Sequence, residues 1–399
     1  MNPRDLSEIK RRLNPDKRNP TVIYGCYVGA DGHVISDFAQ PVVTMPQEEN
    51  EKYMAIFKRA LSGTLGQNLC EIEFTPMQVM EGEEHKLLTA LRESGLKDGG
   101  AIEQFYQRVI AYVQTLGAGS QSVSEEQPAD NDLILLMHDA YDVPYKDRNG
   151  ENDMERATDV FHYIISCVCP VRQTKPTLSY FAAESEFHSR ASDWVVGAPE
   201  LGFMFPAFED RAANLYKAMF YTRDSGDMHE EFIQAVFGTD NPMPAKEQEA
   251  AFQAILQDTL ADECSLDVVQ AVHDTVRGML LEQKADRSAE PLCLGRHEMK
   301  TMLEECGVSP QRAEAFEEQY GQTFGVNAVI PAVNVVAPKK FTVTTPSVVI
   351  RVAPEHSDLI ETRVIDGKCY IMVLADGNVE VNGVSVRMEG PLGAPVDEH

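Results

Sequence analysis

The sequence predicts an α+β fold with a mixed or antiparallel, β-rich N-terminal part, a helical middle region and a small C-terminal β-meander. Three observations support this prediction. Short apolar or alternating runs punctuated by Gly and Pro, typical of strands, are frequent before residue 225. Apolar stripes with helical spacing dominate residues 226–325. Asp-Gly and Asn-Gly turns between alternating runs recur near the C-terminus.

Residues 1–20 are predicted to form a basic N-terminal arm that contains a short helix. Leu6, Ile9 and Leu13 fall on one face of this helix. Six basic residues against three acidic ones give the arm a net charge of +3, whereas the whole chain carries −28. The arm therefore differs in charge from the rest of the chain.

Residues 21–225 are predicted to form an α+β domain with a loop insertion near 117–131, where Gly, Ser and acidic residues show no apolar period. The predicted helices cover about 47–61, 82–94 and 99–116. The predicted strands are Thr21–Val28, His33–Phe38, Leu69–Phe74, Leu133–Met137, Val160–Val168, Leu178–Phe181 and Leu215–Tyr221.

Residues 226–325 are predicted to be a helical region. Gly307 is expected to end one helix, and Ser309 to cap the next, which has Pro310 in its first turn and Gly321 after its end. Residues 326–338 are interpreted as an extended connector.

Residues 339–390 are predicted to form the β-meander, followed by a mobile tail at 391–399. Glu361–Ile365 should pair with Lys368–Leu374 across the turn Asp366-Gly367, and Asn382-Gly383 should form a further turn.

Composition limits the function. The charge of −28 disfavours general binding to nucleic acids or anionic membranes. No apolar run is long enough to span a bilayer, the N-terminus does not resemble a signal peptide, and the eight cysteines form no CxxC pair. We therefore expect a cytoplasmic protein without a membrane segment. No cofactor motif is recognised.

The basic arm is a candidate contact for nucleic acid or the ribosome, through Lys10, Arg11, Arg12, Lys17 and Arg18. The alternative is that the arm docks on the protein's own acidic surface. We favour that alternative because the rest of the chain is so acidic.

His138 and Asp139, with Asp142 close by, are the candidate catalytic or metal-ligating residues. Adjacent His and Asp ligate metals in some phosphohydrolases. Here the pair ends the apolar run Leu133–Met137, which is typical of a strand, so a polar strand end entering a turn is the favoured interpretation.

Other motifs favour structural roles. Residues 302–309 resemble the turn of a DNA-binding helix-turn-helix, but the helix that follows is acidic, so a plain helical hairpin is favoured. The acid-rich segment 147–153 lacks the EF-hand spacing. Cys167 and Cys169 have no histidine at zinc-site spacing. The aromatic segment Trp194–Phe208 could form a binding surface, although core packing is favoured.

Three stretches carry a resemblance to a known family: NPRDLSEIKRRLNPDK at the start, GFMFPAFEDRAANLY at 202–216, and TPSVVIRVAPEHSDLIETRVIDGKCYIMV at 345–373. Through them, nearly the whole chain resembles a bacterial family of roughly 400-residue proteins of unknown function. This resemblance implies a bacterial cytoplasmic protein and provides no catalytic residues.

The leading hypothesis is therefore a non-catalytic binding or regulatory protein that acts through an unknown protein partner or as a homo-oligomer. The alternatives are a metal-dependent hydrolase using residues near 138–142, and a nucleic-acid or ribosome-associated protein using the basic arm.

Overall fold

The computed structural model describes residues 1–17, 20–119, 130–146, 152–153, 160–286, 289–336, 340–375, 379–381 and 384–386. The chain divides into two units. Unit 1 comprises Met1–Ala251 and Leu281–Cys293, and unit 2 comprises Phe252–Leu280 and Leu294–His399. The predicted α+β class is confirmed, with helices and strands in the order given below.

The α-helices among the described residues are α1 (Pro3–Arg12), α2 (Gln47–Arg59), α3 (Pro76–Glu81), α4 (Glu83–Glu93), α5 (Gly99–Gly119), α6 (Glu230–Phe237), α7 (Ala245–Leu260), α8 (Leu266–Ala285), α9 (Arg296–Glu305) and α10 (Pro310–Phe324). The strands are β1 (Val22–Val28), β2 (Val34–Pro41), β3 (Leu69–Glu73), β4 (Asn131–Asp142), β5 (Tyr145–Lys146), β6 (Asn152–Asp153), β7 (Val160–Gln173), β8 (Thr177–Phe181), β9 (Glu186–Arg190), β10 (Trp194–Val196), β11 (Leu201–Phe205), β12 (Ala207–Glu209), β13 (Ala212–Asn214), β14 (Lys217–Thr222), β15 (Cys293–Gly295), β16 (Val329–Pro331), β17 (Phe341–Thr344), β18 (Val349–Val352), β19 (Ile360–Ile365), β20 (Lys368–Val373), β21 (Val379–Val381) and β22 (Val384–Val386).

Unit 1 is built on an antiparallel sheet with the strand order β2-β1-β4-β7-β11-β14-β3. The two long strands β4 and β7 pair at its centre, from Asn131 opposite Val171 to Asp142 opposite Val160. Strand β10 also pairs with β7, next to the end of β11. The N-terminal sheet, predicted as mixed or antiparallel, is therefore antiparallel.

Helices cover both faces of this sheet, which explains the continuous apolar run of β4. Ile134 and Leu136 belong to a buried cluster with residues of α4, α5 and α6. Leu133, Leu135 and Met137 belong to a second cluster with residues of α1 and α2. Because side chains alternate along a strand, the two clusters lie on opposite faces of the sheet.

Helix α1 is part of the core of unit 1. Leu6, Ile9 and Leu13, predicted to share a face, are all buried in the second cluster. Asn2 caps the helix, since its side chain accepts hydrogen bonds from the amides of Arg4 and Asp5. The first residues of the predicted basic arm therefore belong to the folded body of unit 1.

Unit 2 contains the helical hairpin of α9 and α10, as the sequence predicts for residues 302–309. Gly307 follows α9 with φ +92°. Ser309 precedes α10, but its side chain does not cap the helix. The carboxylate of Glu263 instead accepts hydrogen bonds from the Ser309 amide and hydroxyl, both at 2.8 Å. The prediction that Gly321 follows the helix is wrong, because α10 continues to Phe324 and Gly325, at φ +107°, ends it.

The C-terminal strands form three two-stranded hairpins, β17–β18, β19–β20 and β21–β22. Asp366 and Gly367 have φ +50° and +75°, so the predicted Asp-Gly turn between β19 and β20 is confirmed. The predicted turn residues Asn382-Gly383 and the tail 391–399 lie outside the described residues. Within the predicted connector 326–338, β16 pairs with β15.

One further difference concerns unit 1. The helix predicted at 82–94 is α4, and a separate helix, α3, precedes it across Gly82. Most of the predicted insertion near 117–131 lies outside the described residues, between the end of α5 and the start of β4. No helix in the described part of the chain is long and apolar enough to cross a membrane.

Candidate functional site

A groove of about 790 Å³ lies on unit 1 between helix α2 and the segment that contains β10. Its volume falls in the range of known ligand pockets. Its lining residues are mostly apolar and include few charges; they are Glu49, Lys52, Tyr53, Ala55, Ile56, Arg59, Leu133, Trp194, Val195, Val196, Gly197, Ala198 and Pro199.

Helix α2 forms one wall of this groove. Met54 and Phe57 are fully buried and attach the helix to the sheet. Tyr53 precedes Met54, and Ile56 precedes Phe57; both Tyr53 and Ile56 are only partly buried and line the groove. Because residues three and four apart lie on one side of a helix, the apolar stripe of α2 is wide enough to serve both the core and the groove.

Strand β10 forms the opposite wall. Its register places Trp194 opposite Gln173, Val195 opposite Arg172 and Val196 opposite Val171 of β7. Directly paired residues share a face of the sheet, and Val171 belongs to the cluster below α2. The side chains of Trp194 and Val196 therefore face the α2 layer, whereas Val195 faces the other side.

The apolar side chains of β10 are unusually open to solvent for a sheet strand. The exposed fractions are 44% for Trp194, 46% for Val195 and 40% for Val196. Within the part of the chain that the structure describes, β10 pairs only with β7. Exposed apolar side chains on an edge strand mark an interaction surface.

The backbone of β10 also has a free edge. The Thr174 amide donates to Asp193 O at 2.8 Å, and the Gly197 amide donates to Pro170 O at 2.7 Å. In an antiparallel pair, hydrogen-bonding residues alternate with residues whose backbone groups point away. This alternation directs Val195 toward β7, so the N–H and C=O groups of Trp194 and Val196 point outward.

Lys52 and Arg59 lie at the rim of the groove. Neither forms an ion pair with another residue in the described ranges. Two cations that form no ion pair in the described part of the chain, and one carboxylate, Glu49, thus line a mainly apolar groove of a chain whose net charge is −28. The rim therefore suits a ligand that carries an acidic group beside its apolar part.

The structure separates the predicted catalytic residues His138 and Asp139. They are neighbours on β4, so their side chains lie on opposite faces of the sheet. Asp142 lies at the exposed end of the same strand. No group of three or more His, Cys, Asp or Glu side chains among the described residues could hold a metal ion. The geometry thus does not combine these three residues into one metal site.

Asp139 is buried and holds helix α1 to the sheet. The Arg12 guanidinium donates from Nε to Oδ2 and from Nη2 to Oδ1, both at 3.1 Å. The Tyr163 hydroxyl donates to Asp139 Oδ2 at 2.8 Å. Arg12 also stacks on Tyr141, with its Cζ 4.8 Å from the ring centroid. This arrangement satisfies the carboxylate and accounts for it structurally.

His138 lies beside His162 on the other face of the sheet. His162 Nδ1 is 3.3 Å from His138 Nε2, and the two rings stack with their centroids 5.4 Å apart. Burial, assisted by the nearby His162, lowers the pKa of the His138 imidazole to about 4. His138 is therefore neutral at physiological pH.

The basic residues of the predicted arm have different surroundings. Arg12 is paired with Asp139, whereas Lys10 and Arg11 line a recess together with Asn14 and Lys58. The Lys17 side chain and Arg18 lie outside the described residues. Arg12 thus docks on one of the protein's own carboxylates, as the favoured alternative expects, whereas Lys10 and Arg11 form no ion pair among the described residues.

Most of the large aromatic residues in the segment 194–208 pack in the core. Phe203, Phe205 and Phe208 are fully buried, as core packing requires. Trp194 is the exception, because it is exposed in the groove. Sequence reasoning missed the other wall, although Tyr53 and Ile56 were visible as part of an apolar stripe that is broad for a surface helix.

The remaining motifs contribute no site. Cys167 and Cys169 are buried in the second cluster, and burial raises the pKa of both thiols, that of Cys169 to about 12. Of the acid-rich segment 147–153, only residues 152–153 are described.

Comparison with curated proteins and with solved structures finds no match. The model of one family, described as "Domain of unknown function (DUF4317)", matches residues 1–384. This span includes the groove, both faces of the sheet and unit 2 as far as β22. The resemblance to an uncharacterised family is thereby confirmed: the chain belongs to the DUF4317 family.

Proposed function

We propose that this protein is a non-catalytic binding protein that captures an extended, apolar segment of a partner protein in the groove between α2 and β10. The observation that carries the proposal is the free edge of β10 beside an open apolar groove. An extended peptide adds to such an edge as a further strand, and its alternate side chains enter the adjacent groove.

The chemistry of the groove specifies the segment. Backbone groups of Trp194 and Val196 offer hydrogen bonds along the edge, and their side chains, with Ile56, offer apolar contacts. The cations Lys52 and Arg59 favour an acidic residue next to the apolar ones. The segment should therefore alternate apolar and polar residues and carry a flanking Asp or Glu.

Trp194 provides a direct assay, because it is the only tryptophan in the chain. Peptides of 12 residues are selected from a random library displayed on phage, and their binding is measured by the change in Trp194 fluorescence. We expect peptides with the alternating pattern and micromolar affinity, about −8 kcal/mol for a Kd near 1 µM.

Two substitutions at equally exposed valines test the site. Val196→Asp places a charge among the apolar side chains below α2 and should weaken the selected peptides at least about tenfold, equal to about 1.4 kcal/mol. Val34→Asp is the matched control, because Val34 of the edge strand β2 has the same exposed fraction of 40% and does not line the groove. It should change the affinity less than about threefold.

The backbone contribution is tested separately. Methylation of the peptide nitrogens that pair with β10 should abolish binding, whereas methylation of the alternate nitrogens should not. Peptides that bind Val196→Asp as well as the unchanged protein would refute the proposal. Concentration-dependent dimers that disappear in Val196→Asp would instead identify a second copy of the chain as the occupant.

A further inference from the structure

A second recess on unit 1 collects positive charge. It has a volume of about 500 Å³ and is lined by Lys10 and Arg11 from the last turn of α1, Asn14, and Lys58 from the last turn of α2. Two helices that are distant in sequence thus bring three cations and one amide side chain to one place.

In the described part of the chain, the protein's carboxylates do not pair with these cations. Among the residues that the structure describes, no ion pair joins Lys10, Arg11 or Lys58 to an acidic side chain. Glu8, the acidic residue of α1 closest in sequence, is held at 2.8 Å by Arg211 instead. This is unusual for a chain with 63 acidic and 35 basic residues.

The helix ends neutralise only part of the charge. Each helix C-terminus carries about half a negative elementary charge, so α1 and α2 together supply about −1 against three cations. A positive charge of about +2 remains in the recess. Burial also lowers the pKa of the Lys10 ammonium, which indicates that the recess penalises a cation without a partner anion.

We propose that this recess binds a dianionic phosphoryl group of a small phosphate-bearing molecule. Such a group carries a charge of about −1.5 to −2 at neutral pH and accepts several hydrogen bonds at once. Arg11 supplies a planar donor fork, Lys10 and Lys58 supply point charges, and the Asn14 amide supplies a neutral donor. The negative charge of the bound phosphoryl group then balances the positive charge of about +2 that remains in the recess after the helix C-termini have neutralised part of the three cations.

The same features disfavour a long nucleic acid. A polyanion that extends beyond the recess meets a chain of net charge −28, and Arg12, the third basic residue of this turn, is already paired with Asp139. A compact anion avoids this repulsion. The site is separate from the proposed peptide groove and does not depend on it.

The probes are inorganic phosphate and pyrophosphate, titrated into the full-length protein and followed by ³¹P NMR. We expect saturable binding with a Kd of about 1 mM for phosphate and tighter binding of pyrophosphate. Lys58→Gln should weaken both at least about fivefold. Lys86→Gln is the matched control, because Lys86 is an exposed lysine on helix α4 that lines neither the recess nor the groove, and it should change the affinity less than about twofold.

Circular dichroism melting first establishes that both variants are folded. Absence of saturable binding to the unchanged protein would overturn the proposal, and so would equal binding by Lys58→Gln. A 12-nucleotide single-stranded DNA is titrated in parallel. DNA affinity at least about a hundredfold above that of pyrophosphate, falling steeply with salt, would show a nucleic-acid surface instead and would also overturn it.

Discussion

The contact between Arg12 and Asp139 should be a main determinant of the stability of unit 1. Asp139 has an exposed fraction of 5%, and the Arg12 side chain of 19%. Replacing Arg12 by alanine leaves a buried carboxylate whose remaining donor in the described structure is the Tyr163 hydroxyl. Removing one partner of a buried ion pair costs about 3–5 kcal/mol. Because water reaches part of Arg12, we expect a loss of about 3 kcal/mol for Arg12→Ala.

Urea unfolding followed by Trp194 fluorescence measures this loss for unit 1, since the only tryptophan lies in that unit. With a urea dependence of about 3 kcal/mol per M, the transition midpoint should fall by about 1 M. Arg11→Ala is the control, because Arg11 is exposed and has no partner among the described residues, and its effect should stay within about 0.5 kcal/mol.

A double-mutant cycle with Asp139→Asn isolates the pair. The coupling energy between Arg12→Ala and Asp139→Asn should be about 1–3 kcal/mol, because both substitutions remove the same interaction. Equal midpoints for Arg12→Ala and Arg11→Ala, or a coupling energy near zero, would refute the assigned role of Asp139 in anchoring α1.

Three further predictions concern other parts of the fold. The pKa of the His138 imidazole is lower in the folded state than in the unfolded state, so the contribution of His138 to stability is complete above the unfolded pKa and is lost as the pH falls toward about 4. His138→Gln should therefore reduce the loss of stability against urea between pH 7.5 and pH 5. A pH profile equal to that of the unchanged protein would contradict this prediction. Removing the carboxylate that accepts hydrogen bonds from Ser309, by Glu263→Ala, should lower the urea midpoint of unit 2, measured by circular dichroism; an unchanged midpoint would show that the start of α10 does not depend on these hydrogen bonds. Gly202→Ala would place a Cβ 2.6 Å from the backbone oxygen of Ser166 and should lower the free energy of unfolding of unit 1 by about 2 kcal/mol, measured by Trp194 fluorescence in urea. An unchanged urea midpoint would show that β11 and β7 can move apart at Gly202 without loss of stability.

Much of the local structure follows from the sequence. The strands on both sides of Asp366-Gly367, the helix that buries Leu6, Ile9 and Leu13, and the hairpin around Gly307 are all where the pattern places them. These features depend on local rules, namely turn chemistry, helical period and capping. The error at Gly321 shows the limit of such rules, because packing of Phe316 and Tyr320 in unit 2 holds the helix together across a glycine.

The candidate site depends on contacts between distant residues, so the sequence alone could not define it. His138 and Asp139 are adjacent in the chain, yet the two-residue period of a strand puts them on opposite faces of the sheet. Trp194 was visible as a large apolar residue, but its exposure depends on β10 pairing with the very end of β7. Local sequence therefore determined the class of the protein and most of its elements. Only the tertiary structure decided which apolar side chains remained uncovered at a sheet edge, and which cations found no carboxylate, because both depend on partners that are far away in the chain.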